Sequence, residues 1–533
     1  MMKLRPWIAA LLLLAAGAAI AAEPVRLDSG PVSGTTLAGE PPVTVYGGIP
    51  YAAPPVGKLR WRPPQPVEPW SAVRACTEFG PACPQPKALV GLTPPKQSED
   101  CLTLNVWTPA PSPDARLPVM LWIHGGGHTT GAGSIAFYDG KHLARDGGVV
   151  LVTINYRLGP FGYMAHPLLS KESEHGVSGN YGLLDQIASL RWVQRNIAGF
   201  GGDPGRVTIF GESAGAVSVC RLMVSPLAKG LFHRAIAQSG GAHGRNRHLR
   251  QTRPLQEAME KVGERIARSL GCDGAPDPLA AMRARTPQEL LDATSPAQGL
   301  YGRGLRFGPV VDGYAIPEDP PIVFQEGRQH DVPFLTGSNA DEGTLFLRQL
   351  PVRGVVAYRR MLKRFFGDHT DRVFELFPAR TRADVREAAS RLAGISAFVA
   401  PARCLVRAME KVPSPAWLYH FTRVPQQSKA KGLGAFHGLE IAYVFGTLEG
   451  RTGFDQADRT LARTMLRCWA RFAATGDPNG PGLPEWPAYR TATDQHLEFG
   501  VPLRIDSGLH KEACDVFETF YAERLAKLAN GGK

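Results

Sequence analysis

Beyond Ile20 the chain has no unbroken hydrophobic run long enough to cross a bilayer. It also has no Ser/Gly-rich linker, charge run, low-complexity tract or internal repeat. Despite a length of 533 residues, the reading is therefore one large domain over 22–533 with long decorated loops. The eight cysteines are spaced like no zinc module, so a structural metal site is not expected. Acidic residues are the scarcer charge, with 48 Asp and Glu against 60 Lys and Arg and a formal charge of +12. That balance invites a nucleic-acid partner. The arginines are scattered, however, and no stripe of basic and aromatic residues exists, so no nucleic acid is expected. A basic surface of this kind attracts anionic surfaces or substrates only weakly.

The N-terminus supplies the one apolar run. Met1 to Arg5 is short and basic, Trp7 to Ile20 is apolar, and Ala19-Ile20-Ala21 offers small residues for cleavage. This is the pattern of a secretory signal peptide over residues 1–21. The mature protein is expected to be exported, periplasmic or secreted, with no stable membrane insertion, and its cysteines are then permitted to pair.

Pro118-Val119-Met120-Leu121-Trp122-Ile123 is continuously apolar, as expected of a strand buried on both faces, and ends in His124-Gly125-Gly126-Gly127-His128. Val149 to Ile154 is a second such run. Leu183, Leu184, Ile187, Leu190, Val193 and Ile197 then recur at helical spacing. Further core strands are predicted at Val207 to Phe210, Ala235 to Ser239 and Val332 to Gly337. This order predicts an α/β protein with a largely parallel sheet. Helices and loops over 250–300 and 350–410 are expected to cap it.

Gly211-Glu212-Ser213-Ala214-Gly215 lies between a predicted strand and a predicted helix. That context turns G-x-S-x-G into a nucleophile elbow, a turn so tight that only glycine fits the flanking positions. A serine hydroxyl is a weak nucleophile and needs a base, a group to orient that base and an oxyanion hole. The triple glycine at Gly125 to Gly127 suits the last role, with the N–H of Ala214 as a further donor. His437, in a glycine-flanked loop late in the chain, agrees with the order Ser, acid, His; His124 and His128 are its rivals. Asp341, Glu342 and Asp312 are candidates for the acid, and their spacing does not choose among them.

From about Val25 onward the chain resembles the type-B carboxylesterase/lipase family, which includes the cholinesterases. The resemblance rests on ordered stretches at Gly48 to Pro64, Ser98 to Val106, His124 to Gly127, Asn155 to Gly162, Asn180 to Gln186, Phe210 to Gly215, Asp341 to Gly343 and His437 to Gly446. It implies an α/β-hydrolase fold and a carboxylic-ester hydrolase that works through an acyl-enzyme, with no cofactor and a small-molecule ester as substrate. A true lipase and a non-catalytic adhesion-type protein are the alternatives within that fold.

Carried over residue by residue, the resemblance selects Ser213, Glu342 and His437 as the triad. Gly126, Gly127 and Ala214 become the oxyanion donors, and Glu212, Glu440 and Ser239 stand behind the triad. It also implies ion pairs between Arg60 and Glu99 and between Arg157 and Asp185, and a Cys83–Cys101 disulfide, with Cys404 and Cys514 as a second candidate pair. His128 stands where relatives have an aromatic residue, and no tryptophan lies between Cys83 and Cys101 to cradle choline, so choline esters are not expected to be preferred. Arg303, Leu305 and Arg306 are candidates for the acyl pocket, either arginine favouring acidic or polar acyl groups. A histidine base predicts activity that falls on the acid side near a pKa of roughly 6 to 7.

Overall fold

A single sheet of twelve strands carries the molecule in a computed structural model that describes residues 20–88, 94, 96–243 and 246–529. In spatial order the strands are Ile20–Ala21, Thr35–Leu37, Val43–Pro50, Thr103–Thr108, Val150–Ile154, Leu117–Ile123, Gly202–Glu212, Arg234–Gln238, Phe334–Asn339, Ala416–Phe421, Gln495–Phe499 and Arg504–Ser507. From Val150–Ile154 to Gln495–Phe499 every pairing is parallel. The flanking strands at both ends pair antiparallel. This is the largely parallel sheet expected from the strand–helix alternation, and the α/β-hydrolase fold that the family resemblance implies.

Two layers of apolar side chains follow from the period of two along each strand. On Leu117–Ile123, Val119, Leu121 and Ile123 enter one core, and Met120 and Trp122 enter the other. The first core is closed by the helix Tyr181–Asn196 through Leu183, Ile187, Leu190 and Val193. The helix Gln456–Thr475 closes the second through Leu461, Met465, Trp469 and Phe472. Both faces of the sheet are thus covered, which is why its strands read as continuous apolar runs.

The expected signal segment lies outside the described residues up to residue 19. Its last two positions, Ile20 and Ala21, pair with Thr36 and Thr35 as an edge strand. The helical stretch Arg382–Met409 is long and apolar enough to cross a membrane, but 83% of its most apolar window is buried inside the protein. Its hydrophobic surface is spent on packing.

The structure corrects the expected cross-links. All eight cysteines are free, including Cys404 and Cys514. Cys83 and Cys101 are neighbours but meet as thiols. The Cys83 sulfur accepts the Leu158 N–H at 3.2 Å, and a hydrogen bond to Cys83, with burial, raises the Cys101 thiol well above its ordinary value. Both expected ion pairs are formed. Arg60 Nε donates to Glu99 Oε1 at 2.7 Å, and buried Arg157 grips Asp185 at 2.8 and 2.7 Å.

Candidate active site

Parallel strands in register bring their C-terminal ends to one edge of the sheet, the place where an open α/β sheet leaves a crevice. Gly211 sits opposite Ile123 on one side and Ala237 on the other. The residues that follow these strands therefore share one rim. They are the glycines after Ile123, Ser213 after the elbow strand, Ser239, and Glu342 beyond Asn339.

At the elbow, Ser213 takes φ 57° and ψ −118° before the helix Ala214–Leu222 begins. That left-handed turn is strained for a residue with a side chain. The positions on either side are restricted to glycine because the neighbouring chain comes so close. A Cβ on Gly215 would lie 1.9 Å from the Ile123 carbonyl oxygen, and one on Gly211 would lie 2.6 Å from the same atom.

The His437 loop is tied to the acid loop by a β-bridge between Asp341 and Phe436. Asp341 itself is spent on this tie. Its N–H donates to Ala435 O at 3.0 Å, and its carboxylate accepts the Ala435 N–H at 2.8 Å. Glu342 is the group that meets the imidazole, with Oε2 2.6 Å from His437 Nδ1. Its other oxygen accepts from Ser239 Oγ at 2.5 Å and from Asn339 N at 2.7 Å. Asp312 accepts the N–H groups of Tyr314 and Ile316 and the side chain of Asn180, as a turn former does.

The rival histidines are structural. His124 stacks on Tyr156 with ring centroids 4.5 Å apart and bonds Gly125 O. His128 is bonded to Ser218 Oγ at 3.1 Å. Burial pushes His124 down to about 4 and, together with Arg221 and Arg247, pushes His128 down to about 3. Both rings are neutral at ordinary pH.

Around His437 the charges are crowded. Glu212 Oε1 lies 3.1 Å from Nε2. The angle is not that of a hydrogen bond, and this oxygen has no donor. Glu440 is held by Asn339 Nδ2 at 2.5 Å and Gln238 Nε2 at 3.1 Å. Burial opposes the imidazolium, but Glu212 and Glu342, with Glu440 behind, outweigh it and raise His437 to about 9. Burial raises Glu212 to about 8, and the neighbouring carboxylates add to it against the pull of His437. Burial and Glu342 likewise raise Glu440 to about 7. Among the described residues no hydrogen bond joins Ser213 Oγ to His437. Resting sites of this kind are often loose and tighten on substrate.

Ser213, His437, Gly126, Gly127 and Ala214 all line one cavity of about 700 Å³. The N–H groups of Gly126, Gly127 and Ala214 have no partner among the described residues. Of the acyl-pocket candidates, Arg306 lines the cavity, whereas exposed Arg303 and half-buried Leu305 do not. Part of the chain between Cys83 and Cys101, where the missing tryptophan was noted, lies outside the described residues.

Several lining residues went unread in the sequence. Phe398 packs on His437 at 4.6 Å between centroids, from a π-helical turn over Ile395–Val399. Arg247 and Arg524 line the cavity too. Nothing in local pattern marks them, because they come from segments distant in sequence. One cluster among the described residues has metal-ligand spacing, namely His496, Glu498 and Asp506. It lies outside the cavity lining, and Arg504 already pairs with Glu498 at 2.6 Å and Asp506 at 3.6 Å.

Residues 21–517 match the model of the carboxylesterase family. The fumonisin B1 esterase of Sphingopyxis macrogoltabida is 40% identical, covering 90% of this chain and 87% of that protein. The para-nitrobenzyl esterase of Bacillus subtilis (strain 168) is 37% identical over 92% of this chain and 97% of its own. Carboxylesterase 1F of Mus musculus is 36% identical over 91% and 90%. With the parallel sheet, the strained serine turn and the buried Glu–His pair at one rim, these likenesses make a single conclusion: the chain belongs to the carboxylesterase family and is a carboxylic-ester hydrolase.

Proposed function

We propose that hydrolysis runs through an acyl-enzyme on Ser213, with His437 as general base and then acid, and Glu342 as the group that orients it. His437 takes the Ser213 proton as Oγ attacks the ester carbonyl. The tetrahedral oxyanion is stabilised by the N–H groups of Gly126, Gly127 and Ala214, which need no reorganisation to receive it. His437 then protonates the departing alcohol, and a water repeats the steps to release the acid. The observation that carries this reading is the 2.6 Å contact of Glu342 with His437 Nδ1, which leaves Nε2 for proton transfer at the wall that Ser213 shares.

The test is Ser213→Ala with p-nitrophenyl acetate as substrate. A loss of order ~10⁶ in kcat is expected. Retention of more than a few per cent of the activity by a folded variant sinks the assignment. The pattern of residues 1–21 supports export to the periplasm or medium. N-terminal sequencing of the protein recovered from its native compartment tests that, and an intact Met1 would refute it.

A further inference from the structure

The cavity lining is cationic. Arg247, Arg306 and Arg524 belong to it, and among the described residues Glu212 is the only lining carboxylate, facing His437 at 3.1 Å. Arg306 spends its donors on the carbonyl oxygens of Gly299, Leu300 and Gly302, at 2.7, 2.8 and 3.3 Å. Arg247 is different. It belongs to a strand paired with Val310–Val311, which fixes its backbone to the wall. Among the described residues no hydrogen bond or ion pair engages its guanidinium. Burial pushes that group down to about 10, and Arg306 acts in the same direction. Holding an unpaired guanidinium in such a place costs free energy, which a carboxylate in bidentate contact offsets.

Its position selects the part of the substrate it meets. A Cβ on Gly308 would lie 3.1 Å from His128 Nδ1 and 3.9 Å from Arg247 Nη1. His128 directly follows the oxyanion-side glycines, so Arg247 stands beside that loop. His437 is packed instead by Phe346 and Phe398. The alcohol leaves on the side of His437, which must protonate it, so the acyl chain points toward the glycine side. Neutral, buried His128 offers this wall a polar ring where a bulky aromatic would fill space, and buried Arg221 adds positive charge behind it.

We propose that Arg247 anchors a carboxylate on the acyl portion of the substrate, so that the preferred esters are half-esters of di- or polycarboxylic acids. The inference rests on the acyl-enzyme reading above and names its substrate class. The partner is a small anion within the cavity, not a surface polyanion.

The test uses the full-length protein with p-nitrophenyl half-esters of succinic, glutaric and adipic acid. Each is compared with the ester of equal length that ends in a primary amide. The wild type is expected to show higher kcat/KM for the acid than for the amide at one or more lengths. Arg247→Gln should lower that acid-to-amide ratio roughly tenfold to a hundredfold, the range for a hydrogen-bonded charge. Arg247→Lys should keep part of the preference, and Arg303→Ala, outside the cavity, should keep all of it. An unchanged ratio in Arg247→Gln, or an equal loss on both esters, overturns the inference. So does a wild type that turns over the amides as well as the acids at every length. If the wild type turns over none of these esters, the esterase mechanism falls and takes this inference with it. Should Arg247→Gln fail to fold, inhibition of the wild type by glutarate and by valerate decides. Glutarate should bind at least about tenfold tighter, and equal inhibition overturns the proposal.

Discussion

His437 is surrounded by Glu342, Glu212 and Glu440, all buried, and its proton affinity is the sum of their effects. Because they outweigh desolvation and raise it to about 9, the neutral base is depleted at neutral pH. The acid limb of kcat/KM should then lie above pH 7, not at the roughly 6 to 7 of an ordinary histidine. Glu212→Gln removes a carboxylate whose ionised form, present as pH rises past about 8, favours the imidazolium, so the limb should shift toward lower pH. Superimposed profiles for wild type and variant would contradict this account. The same geometry ranks the acids. Glu342→Gln should lose most activity, since the amide no longer stabilises the imidazolium, whereas Asp341→Asn only weakens the tie to Ala435 and should be milder. Steady-state kinetics giving the reverse order would make Asp341 the orienting acid.

At the scale of elements, the elbow depends on how closely its strand and helix approach the neighbouring strand. The 1.9 Å that a Gly215 Cβ would leave to Ile123 O cannot be relieved by a side-chain rotation, because both partners are backbone. Gly215→Ala is expected to lower stability by about 1–3 kcal/mol and to displace Ser213, cutting activity even in the folded fraction. A wild-type urea midpoint would show that the turn tolerates the methyl group. The core strands and the elbow were legible in the sequence because continuous apolar runs and a G-x-S-x-G leave a local trace. The π-helical turn at Ile395–Val399 leaves none. It places Phe398 over His437 by inserting a residue into an otherwise regular helical pattern.

Over the whole molecule, buried titratable groups set how stability depends on pH. Burial lowers His124 to about 4 and His128, His243 and His420 to about 3. In the unfolded chain these rings take up protons near 6.5, which the native protein refuses until pH 3 to 4. Their contribution is therefore complete above pH 6.5 and lost as pH falls through that window, by up to about 1.4 kcal/mol per pH unit for each histidine. His437 acts in the opposite sense. Its affinity is raised, so its contribution is complete below pH 6.5 and lost as pH climbs toward about 9. Urea midpoints at pH 5, 6.5 and 8.5 should peak at the middle value. A midpoint that keeps rising from pH 6.5 to 8.5 would show that His437 is not held in its charged form.

Sequence alone determined the α/β alternation, the glycine-flanked serine at Ser213, the glycine loop and, through family resemblance, the family; the resemblance also selects Glu342, the carboxylate that lies against His437. Those features have local signatures, either a hydrophobic period or a glycine that only a tight turn requires. The tertiary structure decided what depends on contacts between distant segments. It tied Asp341 to the His437 loop, kept Cys83 and Cys101 as thiols, and gathered around His437 three carboxylates from separate strands and loops, which raise its proton affinity. It also set aside Arg303 and brought Arg247 to the cavity, because a residue's place on a wall is fixed by pairing across the fold and not by its neighbours in the chain.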